Sequence, residues 1–149
     1  VCCGGGGLTS GIALALEVRA PTLRARPCEP EGFDDVTRSL VSGKIERNAR
    51  TSGSICDAII TPQAGDLTFP ILKRLCGPGL VVSEDDCLRA MALAFLRLKI
   101  VIEPGGAVAL AAALFHPETI NGDAVIAVAT GGNVDAAQFA DALSKYGTP

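Results

Sequence analysis

The sequence holds one histidine, no pair of cysteines in C-x-x-C spacing and no G-x-S-x-G elbow. The lone His116, followed by Pro117 near the end of an apolar stretch, has no Ser or Cys motif around it. Hydrolase-type triads and His-based zinc sites are therefore excluded, and His116 is assigned a structural role. No basic block exists either: 13 Lys+Arg are scattered through a chain of net charge -3, which argues against a nucleic-acid surface. Apolar runs are broken by charge, proline or glycine before they reach the length of a membrane span, and no charged segment followed by an apolar one opens the chain. The expectation is a soluble, cytoplasmic protein without a membrane or nucleic-acid partner. The four lysines (Lys44, Lys73, Lys99, Lys145) sit beside polar residues or at helix ends, so none reads as a desolvated amine awaiting a carbonyl. There is no internal repeat.

What is present fits one compact domain. Of 149 residues 48% are hydrophobic and 19% charged, enough for a sizeable core. Six cysteines (Cys2, Cys3, Cys28, Cys56, Cys76, Cys87) lie mostly in apolar contexts and read as reduced thiols. The dominant stretch is Gly4-Gly5-Gly6-Gly7-Leu8-Thr9-Ser10-Gly11, followed by the apolar run Ile12 to Leu16. Consecutive glycines expose backbone N–H groups with no Cβ in the way, and a helix start directly after them adds its positive dipole end. That is an anion-binding geometry needing no lysine or arginine. A flexible linker is the alternative, but linkers do not run straight into an apolar helix with Thr9 and Ser10 available as caps. A P-loop is ruled out because Leu8-Thr9 stands where Lys-Ser or Lys-Thr is needed, and the dinucleotide fingerprint because Thr9 or Ser10 occupies its last glycine position.

Along the chain, Thr22 to Cys28 is expected to be a strand and Asp34 or Asp35 to cap a short helix that Gly43 stops. Glu46 to Ser54 reads as a surface loop, Ile55 to Ile60 as a short buried strand or turn, and Leu67 to Leu75 as a helix. Leu80 to Val82 is a short strand. Ser83 to Asp86 is a capping box for a helix to about Lys99, with Leu88, Met91, Ala92, Phe95 and Leu98 on one face. A uniformly apolar helix follows Glu103-Pro104-Gly105-Gly106, Ala124 to Ala129 is expected as a strand, and Asp135 caps a last helix to about Tyr146. Alternating strands and helices predict an α/β domain with a mainly parallel sheet flanked by helices.

In such a sheet the glycine run and a second Gly-rich loop, Thr130-Gly131-Gly132-Asn133, both leave the carboxyl ends of strands, where ligands bind. A flat cofactor with a phosphate at one end would then lie between Gly4–Gly7 and the Thr130 hydroxyl. A plain turn leading into a capped helix is the alternative for Thr130 to Asn133.

Four stretches in this order carry a resemblance: Cys3 to Ala13, Glu29 to Asp35, Ile102 to Ala107 and Thr130 to Asp135. They resemble the motifs of the serine/threonine dehydratase family, pyridoxal-phosphate enzymes of fold type II that include threonine ammonia-lyases, serine racemase and hydroxyaspartate dehydratases. The similarity spans essentially the whole chain and corresponds to the later half of a family member. It implies that residues 1–149 are a partial large cofactor-binding domain. It further implies that Gly4, Gly5, Gly6, Gly7 and the Leu8 amide hold the phosphate of pyridoxal 5'-phosphate, that Thr130 meets the pyridine nitrogen where most members carry serine, and that Glu103 lies beside the ring. The alternative for Glu103 is a carboxylate stabilised by the following helix start.

Glu29, the Phe33 carbonyl and Asp35 match the family's divalent-cation ligands, and oxygen donors of this kind suit Mg²⁺ or Ca²⁺. Helix capping by Asp34 or Asp35 competes with that role. The family's Schiff-base lysine and substrate-carboxylate loop would lie upstream of Gly4, so the chain alone is expected to be inactive and to contain no catalytic residue of its own. Ala58 stands where some members have glycine. The implied activity is dehydration of a small β-hydroxy amino acid, threonine or serine, to a 2-oxo acid and ammonia, in a homodimer when full length. A racemase or threo-3-hydroxyaspartate ammonia-lyase on the same scaffold is the near alternative, and a non-catalytic nucleotide-binding module the distant one.

Overall fold

A computed structural model describes residues 1–147. Six α-helices surround a small parallel sheet: α1 (Gly7–Arg19), α2 (Asp35–Ser42), α3 (Phe69–Leu75), α4 (Glu84–Leu93), α5 (Pro104–Phe115) and α6 (Ala136–Tyr146). Strands β1 (Cys28–Pro30) and β2 (Leu80–Val82) pair in parallel, with Cys28 opposite Leu80 and Pro30 opposite Val82. The segment entering the glycine run extends the sheet on the other side of β1. Cys2 bridges Cys28 in parallel, the Cys3 N–H donates to the Cys28 carbonyl at 2.9 Å, and the Cys28 N–H to the Val1 carbonyl at 2.8 Å. The glycines thus leave the end of a sheet strand, and that anchors them. No helix among the described residues is long and apolar enough to cross a membrane.

α5 sits at the centre because its sequence gives it no polar side. Pro104 to Ala109, Ala111 and Ala112 are buried, covered by α4 and by the sheet. Its small side chains let α4 approach closely, and Cys87, Ala90, Met91 and Ala94 fill the contact. A second cluster of Cys3, Val36, Ala64, Phe69 and Leu72 ties α2 and α3 to the glycine run.

Two expected strands are absent. Residues 22–27 run beside 77–80, with the Gly77 N–H on the Ala25 carbonyl and the Leu80 N–H on the Pro27 carbonyl. Pro27 and Pro78 have no N–H to return, so the ladder is broken and β1 begins only at Cys28. Residues 124–129 form no strand; among the described residues their backbone makes no hydrogen bond, and Val125 and Ile126 are exposed. A cavity of about 280 Å³ lies between this stretch and the sheet, lined by Val1, Leu16, Leu80, Ala109, Ala124 and Val128.

Residues 55–60 contain a 3-10 turn, Asp57–Ile59. The long helix after Ser83 continues beyond α4 as a π-helical turn, Ala94–Leu98, ending in left-handed Lys99. The wider turn swings Leu98 off the apolar face, and it is exposed rather than buried. His116, at the end of α5, clasps the start of α4 through Asp86, Nε2 to Oδ2 3.1 Å.

The Ser83 capping box is formed: the Asp86 N–H donates to Ser83 Oγ at 3.1 Å and the Ser83 N–H to Asp86 Oδ2 at 3.4 Å, and the Ser83 hydroxyl also donates to Asp86 Oδ2 at 2.8 Å. Partial burial pushes the Asp86 carboxyl up, but hydrogen bonds from Ser83 and His116 outweigh it and hold the group below its ordinary value of 3.8. A depressed acid contributes stability that is present above pH 3.8 and fades as pH falls through the folded-state value. Asp86→Asn is therefore expected to cost about 1 kcal/mol at neutral pH. Urea denaturation from pH 7 down to pH 3 should show that difference closing in acid; a gap that stays constant with pH would contradict the assignment.

Candidate functional site

The glycine run starts α1 without any side-chain cap. Gly6 is the N-cap in the left-handed region (φ 89°), and the first turn carries no acidic residue. A side chain at Gly6 would put its Cβ 2.8 Å from both Leu72 Cδ1 and Thr68 Oγ1, so only glycine fits. Contrary to the sequence expectation, Thr9 and Ser10 do not cap α1, because the helix begins before them. Both are buried inside it: the Thr9 hydroxyl donates to the Cys2 carbonyl at 3.0 Å and the Ser10 hydroxyl to the Thr68 carbonyl at 3.3 Å. The first helical bond is Ser10 N–H to the Gly6 carbonyl. Among the described residues, the N–H groups of Gly4, Gly5, Gly6, Gly7 and Leu8 donate to no protein acceptor. Five successive unpartnered amides at a helix start form a cradle for an anion.

The second loop lies on the same side. Thr130 Oγ1 is 3.4 Å from Cys2 Sγ, two residues before Gly4. A Cβ at Gly4 would lie 3.0 Å from the Ile59 carbonyl, and one at Gly105 would lie 3.4 Å from Ile59 Cγ1, so Ile59 wedges the cradle against the start of α5. A Cβ at Gly106 would meet the Gly131 carbonyl at 2.8 Å, which sets α5 directly against the Thr130 loop. Glu103, the N-cap of α5, makes no side-chain cap. Its carboxylate instead accepts the Asn133 N–H at 3.1 Å, while its own N–H donates to the Gly131 carbonyl at 2.9 Å. The structure thus sets the Thr130 hydroxyl against the strand that enters the Gly4–Leu8 run, and the Glu103 carboxylate against the loop that carries Thr130. The four lysines all lie exposed on the surface; Lys73 donates to the Gly43 carbonyl and Lys145 to Asp85. Beside the cradle, burial pushes the Cys3 thiol up to about 12, so it stays protonated.

The candidate cation ligands sit behind the cradle. Glu29, fully buried in β1, caps α2 from a distance: Oε1 accepts the Val36 N–H at 2.9 Å, and Oε2 accepts the Thr37 N–H and hydroxyl, each at 2.7 Å. Asp34 takes the N-cap position with no side-chain cap, so the expected local cap is replaced by this remote one. Burial pushes the Glu29 carboxyl up to about 7 against those hydrogen bonds, and the Asp35 carboxyl up to about 6. Asp35 Oδ1 accepts from Asn48 Nδ2 at 2.6 Å, while its Oδ2 is buried with no partner. The Phe33 carbonyl also accepts no hydrogen bond among the described residues. No group of three or more His, Cys, Asp or Glu side chains among those residues is placed to hold a metal. The candidate set is two carboxylates and a carbonyl.

Two residues escaped the sequence reading. Asn48, in what reads as a surface loop, turns inward and joins Asp35 to the Thr61 carbonyl at 2.9 Å. Thr61 has a buried hydroxyl with no partner, and its Cγ2 is 4.0 Å from where a Gly5 Cβ would stand. In sequence Asn48 is one polar residue among several, and Thr61 heads a Pro-containing turn, so neither carries a local signal.

Comparisons with known proteins place the chain in a family. Residues 1–131 match the family model described as pyridoxal-phosphate dependent enzyme. Serine racemase of Dictyostelium discoideum is 38% identical over 95% of this chain and 44% of its own length. The L-threo-3-hydroxyaspartate ammonia-lyase of a Pseudomonas species is 36% identical over 94% of this chain and 44% of its own. Among solved structures, a threonine deaminase from T.th. superimposes with TM-score 0.85 at 39% identity, covering 91% of this chain and 49% of that one. Maize serine racemase does so with TM-score 0.81 at 33% identity, covering 97% and 45%. The chain spans less than half the length of these relatives and shares the mixed helix and parallel-sheet architecture of fold type II. It belongs to the pyridoxal-phosphate dependent enzyme family.

Proposed function

We propose that the protein is a pyridoxal-phosphate-dependent ammonia-lyase acting on a small β-hydroxy amino acid, threonine or serine first. The observation that carries this reading is the run of unpartnered amides from Gly4 to Leu8, with the Thr130 hydroxyl against Cys2 at the entry to that run. These amides would hold the cofactor phosphate, and Thr130 is the residue for the pyridine nitrogen. Pyridoxal phosphate, when bound, supplies the electron sink that makes loss of the α-proton accessible. A neutral hydroxyl at Thr130 leaves the ring nitrogen without a counter-charge, which moderates that sink and suits loss of a β-hydroxyl. Glu103, tied to Asn133, fixes the loop that carries Thr130.

The overall reaction removes the α-proton and the β-hydroxyl as water, and hydrolysis then releases ammonia and a 2-oxo acid. Among the described residues no lysine is placed at the cradle: all four are exposed, Lys73 on the Gly43 carbonyl, Lys99 on the Leu96 carbonyl and Lys145 on Asp85. A second reading has equal support from the relatives: racemisation of serine, or ammonia loss from threo-3-hydroxyaspartate, on the same scaffold. Incubating the full-length protein with L-threonine, L-serine and L-threo-3-hydroxyaspartate separates them. The expected result is a 2-oxo acid with equimolar ammonia from threonine or serine; D-serine as the main product, or turnover of hydroxyaspartate alone, would overturn the first choice.

Glu29, the Phe33 carbonyl and Asp35 are proposed as ligands of a structural Mg²⁺ or Ca²⁺. Support comes from the orphaned Asp35 Oδ2, the free Phe33 carbonyl and a Glu29 Oε1 with a single donor, all oxygen atoms of the kind these cations take. A cation would also relieve repulsion between the two buried carboxyls. Millimolar Mg²⁺ or Ca²⁺ should raise the melting temperature of chelator-treated protein by a few degrees, roughly 2–8 °C for 1 kcal/mol of linkage, and Asp35→Asn should abolish the rise. Equal shifts in both proteins would remove Asp35 from the site.

A further inference from the structure

We infer that Thr68 is the positioning residue of the anion cradle, holding the Gly5 carbonyl from behind so that the Gly6 N–H faces the ligand. The inference rests on Gly4–Leu8 being a phosphate site. Thr68 is the N-cap of α3, where a threonine ordinarily accepts an N–H from its own helix, yet it makes no such cap. Its hydroxyl instead lies 2.5 Å from the Gly5 carbonyl and 3.1 Å from the Gly65 carbonyl. A hydroxyl has one proton to give. The Gly65 carbonyl already receives the Thr68 N–H at 3.1 Å and the Phe69 N–H at 2.9 Å, which leaves the Thr68 hydroxyl for Gly5. The Gly65 N–H joins it on the same Gly5 oxygen at 3.1 Å.

The consequence follows from peptide planarity. In a trans peptide the carbonyl and the next N–H point in opposite directions. Two donors fixed on the Gly5 oxygen therefore turn the Gly6 N–H away from Thr68 and Gly65, where among the described residues it meets no protein acceptor. Gly6, at φ 89°, has little steric resistance of its own to rotating that peptide, so the restraint has to come from outside the glycine run. Thr68 is itself tied to α1, since its carbonyl accepts the Ser10 hydroxyl. The helix that ends the cradle and the residue that aims it move together.

The test compares the affinities of the protein for pyridoxine 5′-phosphate and pyridoxine, which lack the aldehyde that would react with surface lysines. Wild type is expected to favour the phosphate ester. Thr68→Val, which keeps shape and loses the hydroxyl, should lose about tenfold of that preference with pyridoxine affinity unchanged, and Thr68→Ser should restore it. Should Thr68→Val fail to fold, Thr68→Ala takes its place. A preference that survives loss of the hydroxyl overturns the role of Thr68 while leaving the cradle intact, as does a parallel fall in both affinities, which would mark a general structural defect. A wild type with no preference overturns the cradle itself, and Thr68 with it.

Discussion

Everything in this structure that bears on function depends on a set of backbone N–H groups kept without protein partners. Gly7 and Leu8 are exposed and open as the first amides of any helix are, but Gly6 is buried and Gly4 and Gly5 half-buried, where amides are ordinarily satisfied, so the surrounding fold must hold that stretch in place. The sheet provides the first restraint. Val1 to Cys3 is locked to β1 by two ladder bonds, and the run emerges in a fixed direction. The Thr9 hydroxyl returns to the Cys2 carbonyl and fastens the start of α1 to that same strand. Below, Leu72 and Thr68 pack so closely against Gly6 that no other residue is admitted.

The opposite wall is built by a different device. α5 is apolar on every side and is buried for that reason, and its first turn consists of proline and two glycines. These small residues let Ile59 and the Thr130 loop approach to backbone contact. Glu103 then commits its carboxylate to the loop and not to its own helix. Cradle and hydroxyl are held by close packing, with the Ile59 carbonyl against Gly4, its side chain against Gly105 and the Gly131 carbonyl against Gly106, which tolerates little variation in side-chain size.

Much of this was legible in the sequence because it is local. The glycine run, the Ser83 capping box, the apolar α5 and the turn at Gly43 each announce themselves within a few residues, and the structure places all four where expected. Non-local features were not legible. Strands expected at 22–28 and 124–129 needed neighbours: prolines on facing segments interrupt the first, and the second makes no backbone hydrogen bond to a neighbour among the described residues. Glu29 capping α2 from β1, Asn48 turning inward to Asp35, and Thr68 ignoring its own helix are choices between partners distant in sequence. Local propensity favours near partners such as the Asp34 or Asp35 cap expected for α2, and it carries no signal for these distant ones.

The central claim is that main-chain amides, without help from a basic side chain, form the anion site. Amide chemical-shift mapping of ¹⁵N-labelled protein during titration with inorganic phosphate measures this directly. The account predicts saturable downfield movement of the Gly4 to Leu8 amide protons with a common dissociation constant. Shifts that gather instead around surface arginines such as Arg24 or Arg50, with the glycine amides unmoved, would contradict it.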